Sequence, residues 1–145
     1  MSAGYQYLGG APPLPATEDG FRSAGDIGHL DEDGFLYLVD RRVDMIVSGG
    51  ANVFPAEVES ALAGHPDIAD VVVIGLADEQ WGRRVHAVIQ LADGEGALTE
   101  EQVIEYAKGR LAPYKAPKTV EFIDKIPRTA ATKVNRSAMI AARGG

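Results

Sequence analysis

The sequence predicts an α+β fold, and three observations carry that prediction. A β-prone run, Phe35-Leu36-Tyr37-Leu38-Val39, follows a turn signal at Asp31-Glu32-Asp33-Gly34. Two runs rich in Val and Ile, residues 68–76 and 84–91, read as strands. Two further stretches combine an apolar stripe with helix start signals. The expected body is a short antiparallel sheet flanked by helices, compact from about residue 44 onward and preceded by a β-hairpin segment.

The elements follow in order. Residues 1–20 hold Gly-Gly, Ala-Pro-Pro-Leu-Pro and Asp-Gly and read as loop, with a short strand expected at residues 5–8. From Phe21 to Asp40 the pattern becomes strand, turn, strand, with Ile27 and Leu30 before the turn. Residues 44–48 predict another strand, ended by Gly49-Gly50, where a backbone can turn tightly or come close to a ligand. Pro55–Ala63 predicts a helix: Pro55 suits its first position, Glu57 its first turn, and Val58, Ala61 and Leu62 share a face. Gly64 closes it.

After the two long strands, Thr99 is the expected N-cap of a second helix, with Gln102 at the capping-box position. Val103, Ile104, Ala107 and Leu111 form its apolar face. Residues 120–123 predict a shorter strand. A loop holding Pro127, Thr129, Thr132 and Lys133 then leads to a terminal helix over residues 135–142. There is no internal repeat.

At 145 residues and 46 % hydrophobic, the chain is long enough for one ordinary domain with a core and a small annex. The absence of Cys excludes disulfides, thiolate catalysis and zinc–thiolate sites. The first ten residues hold neither a basic segment nor an apolar run, so no secretory signal is expected. No apolar stretch reaches membrane-spanning length, and the expectation is a soluble, cytoplasmic protein.

The net charge of −7 argues against general nucleic-acid binding. Its distribution says more. Residues 1–107 carry 5 basic and 19 acidic side chains, a net of −14, whereas residues 108–136 have a net of +6. Such a late basic segment suits a polyanion such as a nucleotide or coenzyme phosphate, or else balances the acidic body as a solvated surface.

Several residues could carry chemistry. Asp26, after Gly25, would accept hydrogen bonds from sugar hydroxyls, or from turn N–H groups in the plainer reading. Arg41 and Arg42 would pair with Asp40 or Asp44, or hold a phosphate or ribose. Lys133, in a loop of small residues, would stabilise a developing oxyanion, or stand as an ordinary exposed lysine. Trp81, beside two Arg residues, would stack on a base or cover the edge of the core. His29, His65 and His86 have neither metal-ligand spacing nor a nucleophile beside them, and no metal site is expected.

Four stretches in succession, FRSAGDIG, DGFLYLVDRRVDMIVSGGANVFPAEVES, HPDIADVVVIGLADEQWGRRVHA and LAPYKAPKTVEFIDKIPRTAATK, closely resemble the C-terminal portion of AMP-forming acyl-CoA synthetases. These belong to the adenylate-forming (ANL) superfamily, with firefly luciferase and peptide-synthetase adenylation domains. The resemblance covers nearly the whole chain from Tyr5.

The resemblance implies a two-step ligase reaction. A carboxylate attacks the α-phosphate of ATP to give an acyl-adenylate and pyrophosphate, and the thiol of coenzyme A then displaces AMP. A small mobile C-terminal domain swings between the two steps. Residues 1–42 would be the tail end of the large N-terminal adenylation domain, and residues 43–145 the C-terminal lid. By motif match, Asp26 would hold the ribose hydroxyls of ATP, Arg41 would contact the nucleotide, and Lys133 would be the adenylation lysine. Gly49 and Gly50 would line the pantetheine tunnel. Trp81, Tyr114 and Lys118 resemble positions that meet the nucleotide end of coenzyme A in some relatives. Mg2+ is expected with ATP, its ligands lying outside this chain.

Three departures stand out. The hinge position, usually Asp or Lys, is Val43; the usual Gly before the adenylation lysine is Thr132; and a usual Glu is Arg83. The first two bear on domain rotation and the third on local packing. The family's phosphate loop and acyl pocket lie upstream in the missing N-terminal adenylation domain, so the chain by itself is expected to be inactive and to leave the acyl substrate unnamed. The rival readings are a peptide-synthetase adenylation lid and a non-catalytic α+β binding module. The Ser-Gly-Gly-x-Asn-Val-x-Pro-x-Glu-Val-Glu wording favours the coenzyme A branch, and the joint presence of Asp26, Arg41 and Lys133 speaks against a scaffold.

Overall fold

A computed structural model describes residues 18–19, 25–41, 43–92 and 98–145. The strand expected at residues 5–8, most of the N-terminal loop, Phe21 and Arg42 lie outside the described residues. The chain begins with an antiparallel hairpin, β1 (Asp26–Leu30) and β2 (Leu36–Arg41). Asp31 closes its turn, because Oδ1 accepts from the N–H groups of Asp33 and Phe35 at 3.0 and 2.9 Å.

A second, smaller hairpin joins β3 (Ile46–Ser48) to β4 (Ala51–Val53). Gly49 and Gly50 form its two-residue turn with φ of +57° and +82°. Two successive left-handed residues match the right-handed twist of the flanking strands, which is why the pair is Gly-Gly. β4 was not among the expected elements. Helix α1 (Pro55–Ala63) follows with the predicted boundaries, and Val58 and Leu62 are buried while Ala61 is only half-buried.

The main sheet holds β5 (Ile68–Asp78), β6 (Gly82–Leu91) and β7 (Thr119–Phe122), in that spatial order. β5 and β6 are antiparallel, as expected. β7 joins β6 in parallel, so the sheet is mixed rather than wholly antiparallel. A parallel neighbour requires a crossover, and the segment containing α2 (Glu100–Lys108) supplies it. The Thr99 capping box is present in full: Thr99 Oγ1 accepts from Gln102 N–H at 3.3 Å and Gln102 Oε1 from Thr99 N–H at 2.9 Å. The terminal helix α3 (Arg136–Ala141) is capped by Asn135, whose Oδ1 accepts from Ala138 N–H at 3.0 Å.

Two cores lie on the two faces of this sheet. Val71, Val73, Val85, Ala87 and Ile89 point towards Val58 and Leu62 of α1, Val103 and Ala107 of α2, and Ile46 and Val53 of the small hairpin. Val72, Ile74, Leu76 and Val88 point the other way, towards Ile126 and Met139. Coverage of both faces explains why residues 71–76 read as a nearly continuous apolar run, save Gly75, instead of alternating. Each fully buried Val or Ile contributes on the order of 2 kcal/mol. Among the described residues, no helix is long and apolar enough to cross a membrane.

Candidate functional site

Lys133 sits in a tight loop between the sheet and α3. Thr132 N–H donates to Thr129 carbonyl at 2.8 Å, and Thr129 N–H to Lys133 carbonyl at 2.9 Å. Thr132 has φ of +60° and is the one non-glycine residue with positive φ among those described. A left-handed residue commonly follows a short turn in this pattern and is commonly Gly. The sequence departure at Thr132 therefore falls where glycine would be least strained. A branched L-residue in this conformation costs roughly 1–2 kcal/mol.

The Lys133 side chain reaches an open groove of about 380 Å³. Arg41, Arg128 and Arg136 line it with Asp44 and Glu59, beside Val71 and Val72 of the edge strand β5. An adjoining hollow of about 310 Å³ adds Val43 and Asn135 to Arg41 and Lys133. Arg41 and Lys133, 92 positions apart in the numbering, thus share one concave surface, which Val43, the position expected to be the hinge, also lines while 80 % exposed. Among the described residues, the Lys133 ammonium has no carboxylate within ion-pair reach, so its charge is available to a ligand.

The Arg41 side chain pairs with neither Asp40 nor Asp44, the partners its neighbourhood in sequence suggests, although its backbone N–H donates to Asp40 Oδ1 at 2.7 Å. Its Nε lies 3.7 Å from Asp26 Oδ1 across the β1–β2 ladder, where Asp26 and Arg41 are register partners. Both side chains are largely open to solvent, which makes this a weak contact that leaves Asp26 and Arg41 free to face a ligand together. Asp40 has a different task. Its Oδ2 accepts the N–H of Ala56 at 3.0 Å and so caps α1 from the end of β2, in place of the Phe54 side chain, which makes no cap.

The second group of expected residues gathers at the far end of β3, a strand about 10 Å long. Gly49 N–H donates to Trp81 carbonyl at 2.9 Å. The Trp81 ring lies against Gly49, where a β-carbon would stand 2.8 Å from the indole. Lys118 Nζ stands 5.2 Å from the same ring, a cation–π distance. Trp81 is held in its turn by Asp78, whose Oδ1 accepts from the N–H of both Trp81 and Gln80 at 3.0 Å. The Trp81 N–H is the main cause of the lowered Asp78 pKa. Tyr114 does not join this cluster. It is exposed, and its described ring contact is with Lys115 Nζ at 5.8 Å.

The balancing reading of the basic segment applies to three of its residues. Lys115 grips Glu57 at 2.6 and 2.8 Å, Arg128 grips Asp70 at 2.7 Å through two nitrogens, and Arg136 grips Glu59 at 2.7 Å with Asp44 at 3.7 Å. Arg143 pairs with Glu121 at 2.6 and 3.0 Å. Lys115, Arg128 and Arg136 fasten the basic segment onto the acidic body, while Arg143 holds Glu121 within that segment. Arg128 holds the Asp70 carboxyl below its usual range, and Arg143 does the same to Glu121. Lys118, Lys125 and Lys133 are exposed and are bound to none of these carboxylates.

Sequence reasoning missed Arg128, Asp70, Arg136 and Glu59, which build the walls and supports of the groove. The opposed charges of residues 1–107 and 108–136 are the signal that would have pointed to them. The three histidines lie apart: His29 stacks on Tyr37, His65 meets Tyr106 edge-on, and His86 is buried in β6. Among the described residues, no three of His, Asp and Glu are gathered to hold a metal ion.

The sequence profile of the AMP-binding enzyme C-terminal domain matches residues 57–133, more than half of the chain. The chain belongs to this family. Relatives of this AMP-binding C-terminal domain include the 2-succinylbenzoate–CoA ligase of Bacillus licheniformis, 48 % identical over 118 residues that make up 81 % of this chain and 24 % of that protein. The long-chain-fatty-acid–CoA ligase FadD13 of Mycobacterium tuberculosis is 46 % identical over 124 residues, 86 % of this chain and 24 % of that protein. Among solved structures, ATP-bound MatB of Rhodopseudomonas palustris superposes with a TM-score of 0.80 at 34 % identity, covering 88 % of this chain and 25 % of that one. The o-succinylbenzoate CoA synthetase MenE of Bacillus subtilis, in complex with its acyl-adenylate, gives 0.75 at 42 % identity, covering 86 % and 25 %. The chain spans about a quarter of the length of the curated relatives it matches.

Proposed function

We propose that this chain is the C-terminal part of an AMP-forming acyl-CoA synthetase, which joins a carboxylic acid to coenzyme A through an acyl-adenylate. The observation that carries this reading is the division of the expected residues into two groups. Lys133 and Arg41 line one groove, with Asp26 reached from it through Arg41 at 3.7 Å, and Gly49, Trp81 and Lys118 gather at the other end of β3. A domain that serves two half-reactions needs two such surfaces.

In the first half-reaction the acid attacks the α-phosphate of ATP and pyrophosphate leaves. Lys133 supplies a point charge beside the carboxylate and the phosphoryl oxygens, which stabilises the charge that builds as the bond forms. Asp26 accepts from the ribose hydroxyls and Arg41 faces the nucleotide. In the second, the thiol displaces AMP, and the Gly49-Gly50 turn presents bare backbone along which the pantetheine arm passes. Trp81 and Lys118 offer a ring and a cation to the nucleotide end of coenzyme A, with Tyr114 near the same stretch of chain. Magnesium that accompanies ATP is ligated outside this chain, and the acyl group is selected there too.

Residues 1–42 are assigned to the end of a large N-terminal adenylation domain and residues 43–145 to a lid that turns about Val43. The β1–β2 hairpin supports this, since Leu30, Phe35, Leu36 and Leu38 are each more than 60 % exposed and a larger body would cover them. The enzyme is placed in the cytoplasm, where ATP and coenzyme A are supplied. The test is Lys133→Ala in the full-length enzyme. Adenylation should fall at least about a hundredfold, while thioester formation from a supplied acyl-adenylate persists. Equal loss of both half-reactions would overturn the assignment.

A further inference from the structure

The peptide that carries Lys133 is held from one specific place on the sheet. Arg128 Nη1 donates to the Thr132 carbonyl at 2.9 Å, while Nε and Nη2 donate to Asp70 Oδ2 and Oδ1 at 2.7 Å each. The nitrogen side of the same peptide is held as well, because Lys133 N–H donates to Thr129 Oγ1 at 3.2 Å. Thr129 N–H closes the loop onto the Lys133 carbonyl. Both ends of the Lys133 backbone are thereby fixed, and its side chain extends from them into the groove.

Asp70 is itself aimed by the strand. In a regular β-strand Ile68 and Asp70 would share a face. A bulge between them breaks that alternation. Ile68 joins Val71 and Val73 in the core beneath α1 and α2, and Asp70 is turned towards Arg128. Asp70 Oδ1 also accepts the Val71 N–H at 2.9 Å, which fixes the carboxylate before Arg128 meets it. The planar guanidinium fits this arrangement because its rigid fork grips a carboxylate with two donors and still has a third for the loop carbonyl.

We infer that Arg128, aimed by Asp70, is a positioning residue that sets where the Lys133 ammonium enters the groove. This rests on the reading of Lys133 as the adenylation lysine. A displacement of about 1 Å at a reacting group can reduce a rate about a hundredfold, and the Arg128 fork is what resists such a displacement. All three guanidinium nitrogens of Arg128 are engaged by Asp70 and the Thr132 carbonyl, so the effect of the pair belongs to the half-reaction that uses Lys133.

The experiment compares Arg128→Lys and Asp70→Asn in the full-length enzyme, with Lys133→Ala alongside. Arg128→Lys keeps the charge and loses the fork. Asp70→Asn keeps the shape and loosens the grip. Adenylation and thioester formation from a supplied acyl-adenylate are measured separately, with thermal unfolding of each variant. The expected result is a fall of about tenfold to a hundredfold in adenylation kcat for both variants, with thioester formation within about twofold of the parent. A parallel fall in both half-reactions would make the pair merely structural and overturn the inference, as would unchanged adenylation in both variants. If Lys133→Ala itself leaves adenylation intact, the Lys133 assignment fails, and the inference with it. If Lys133→Ala abolishes adenylation while the other two leave it untouched, the positioning role alone is lost.

Discussion

Gly49 and Trp81 meet through backbone and ring at once: the Gly49 N–H donates to the Trp81 carbonyl at 2.9 Å, and the indole occupies the space a Gly49 β-carbon would need. Its neighbour Gly50 is different. Gly50 has φ of +82° but no atom within 4 Å of a built β-carbon. Two adjacent glycines in one turn are thus required for different reasons, conformation alone at Gly50 and conformation plus close approach at Gly49.

Gly49→Ala should therefore destabilise the chain more than Gly50→Ala. Both substitutions place an L-residue in left-handed backbone, at roughly 1–2 kcal/mol each. Gly49→Ala also forces the indole to move. The chain contains one Trp, so its fluorescence reports this site alone. A spectral shift in Gly49→Ala and none in Gly50→Ala is expected, together with a lower denaturant midpoint in both. Identical spectra for the two variants would contradict the contact.

A larger side chain at Gly50 bears on the proposed function. Gly50→Leu in the full-length enzyme should reduce thioester formation from a supplied acyl-adenylate by about tenfold or more, because it narrows the path given to the pantetheine arm. Adenylation should persist, since Gly50 lies across β3 from the Lys133 groove. Stopped-flow assay of each half-reaction separates the two. Loss of adenylation alone would reverse the assignment of the two surfaces.

Local signals made much of the fold legible. Pro55 and Gly64 bracket α1, Thr99 and Gln102 open α2, and the Asp31–Gly34 turn opens the first hairpin, all within a few residues of their cause. What the sequence hid was decided at long range or at very short length. β4 has three residues, too few to show a period. β7 lies parallel because of a crossover that no local pattern encodes. Lys115 and Glu57 stand 58 positions apart, and Arg136 and Glu59 stand 77 apart, so pairing by proximity in sequence misassigns them. Arg41 repeats the lesson, since its partner Asp26 is set by strand register and not by its acidic neighbours. At the candidate site, the motif resemblance named Arg41 and Lys133, but the supports of the groove were visible only as a charge imbalance.

Thr132→Gly tests the strain in the Lys133 loop. Glycine adopts positive φ without the clash that a branched side chain meets. Against this, glycine gains freedom in the unfolded chain and gives up the Thr132 Oγ1 hydrogen bond to Ala131 carbonyl at 2.7 Å. The balance should leave stability unchanged or raised by up to about 1 kcal/mol, read from denaturant midpoints at constant slope. Destabilisation by more than about 1 kcal/mol would mean that Thr132 contributes an interaction larger than its strain.

His86 should make the chain less stable as the solution turns mildly acidic. Burial is the largest influence on its ring and lowers its pKa below the ordinary 6.5, with Arg143 and Arg84 adding to the effect and the Glu121 carboxylate opposing it. Nδ1 meets Thr119 Oγ1 at 2.7 Å and Nε2 meets Glu121 Oε2 at 3.3 Å, so the neutral ring is already partnered. Above pH 6.5 the ring is neutral in both folded and unfolded chains, and His86 adds no pH dependence. As pH falls through that value, the unfolded chain takes up a proton that the folded chain does not, and stability declines until the folded pKa is passed. Asp70 and Glu121 are also lowered, chiefly by Arg128 and Arg143, but from ordinary values of 3.8 and 4.5, so their loss begins at lower pH. Urea midpoints between about pH 7.5 and about pH 5.5 should therefore fall in the parent chain and fall less in His86→Gln, which keeps a hydrogen-bonding side chain but cannot titrate. The same decline in both proteins would show that the buried imidazole is not its source.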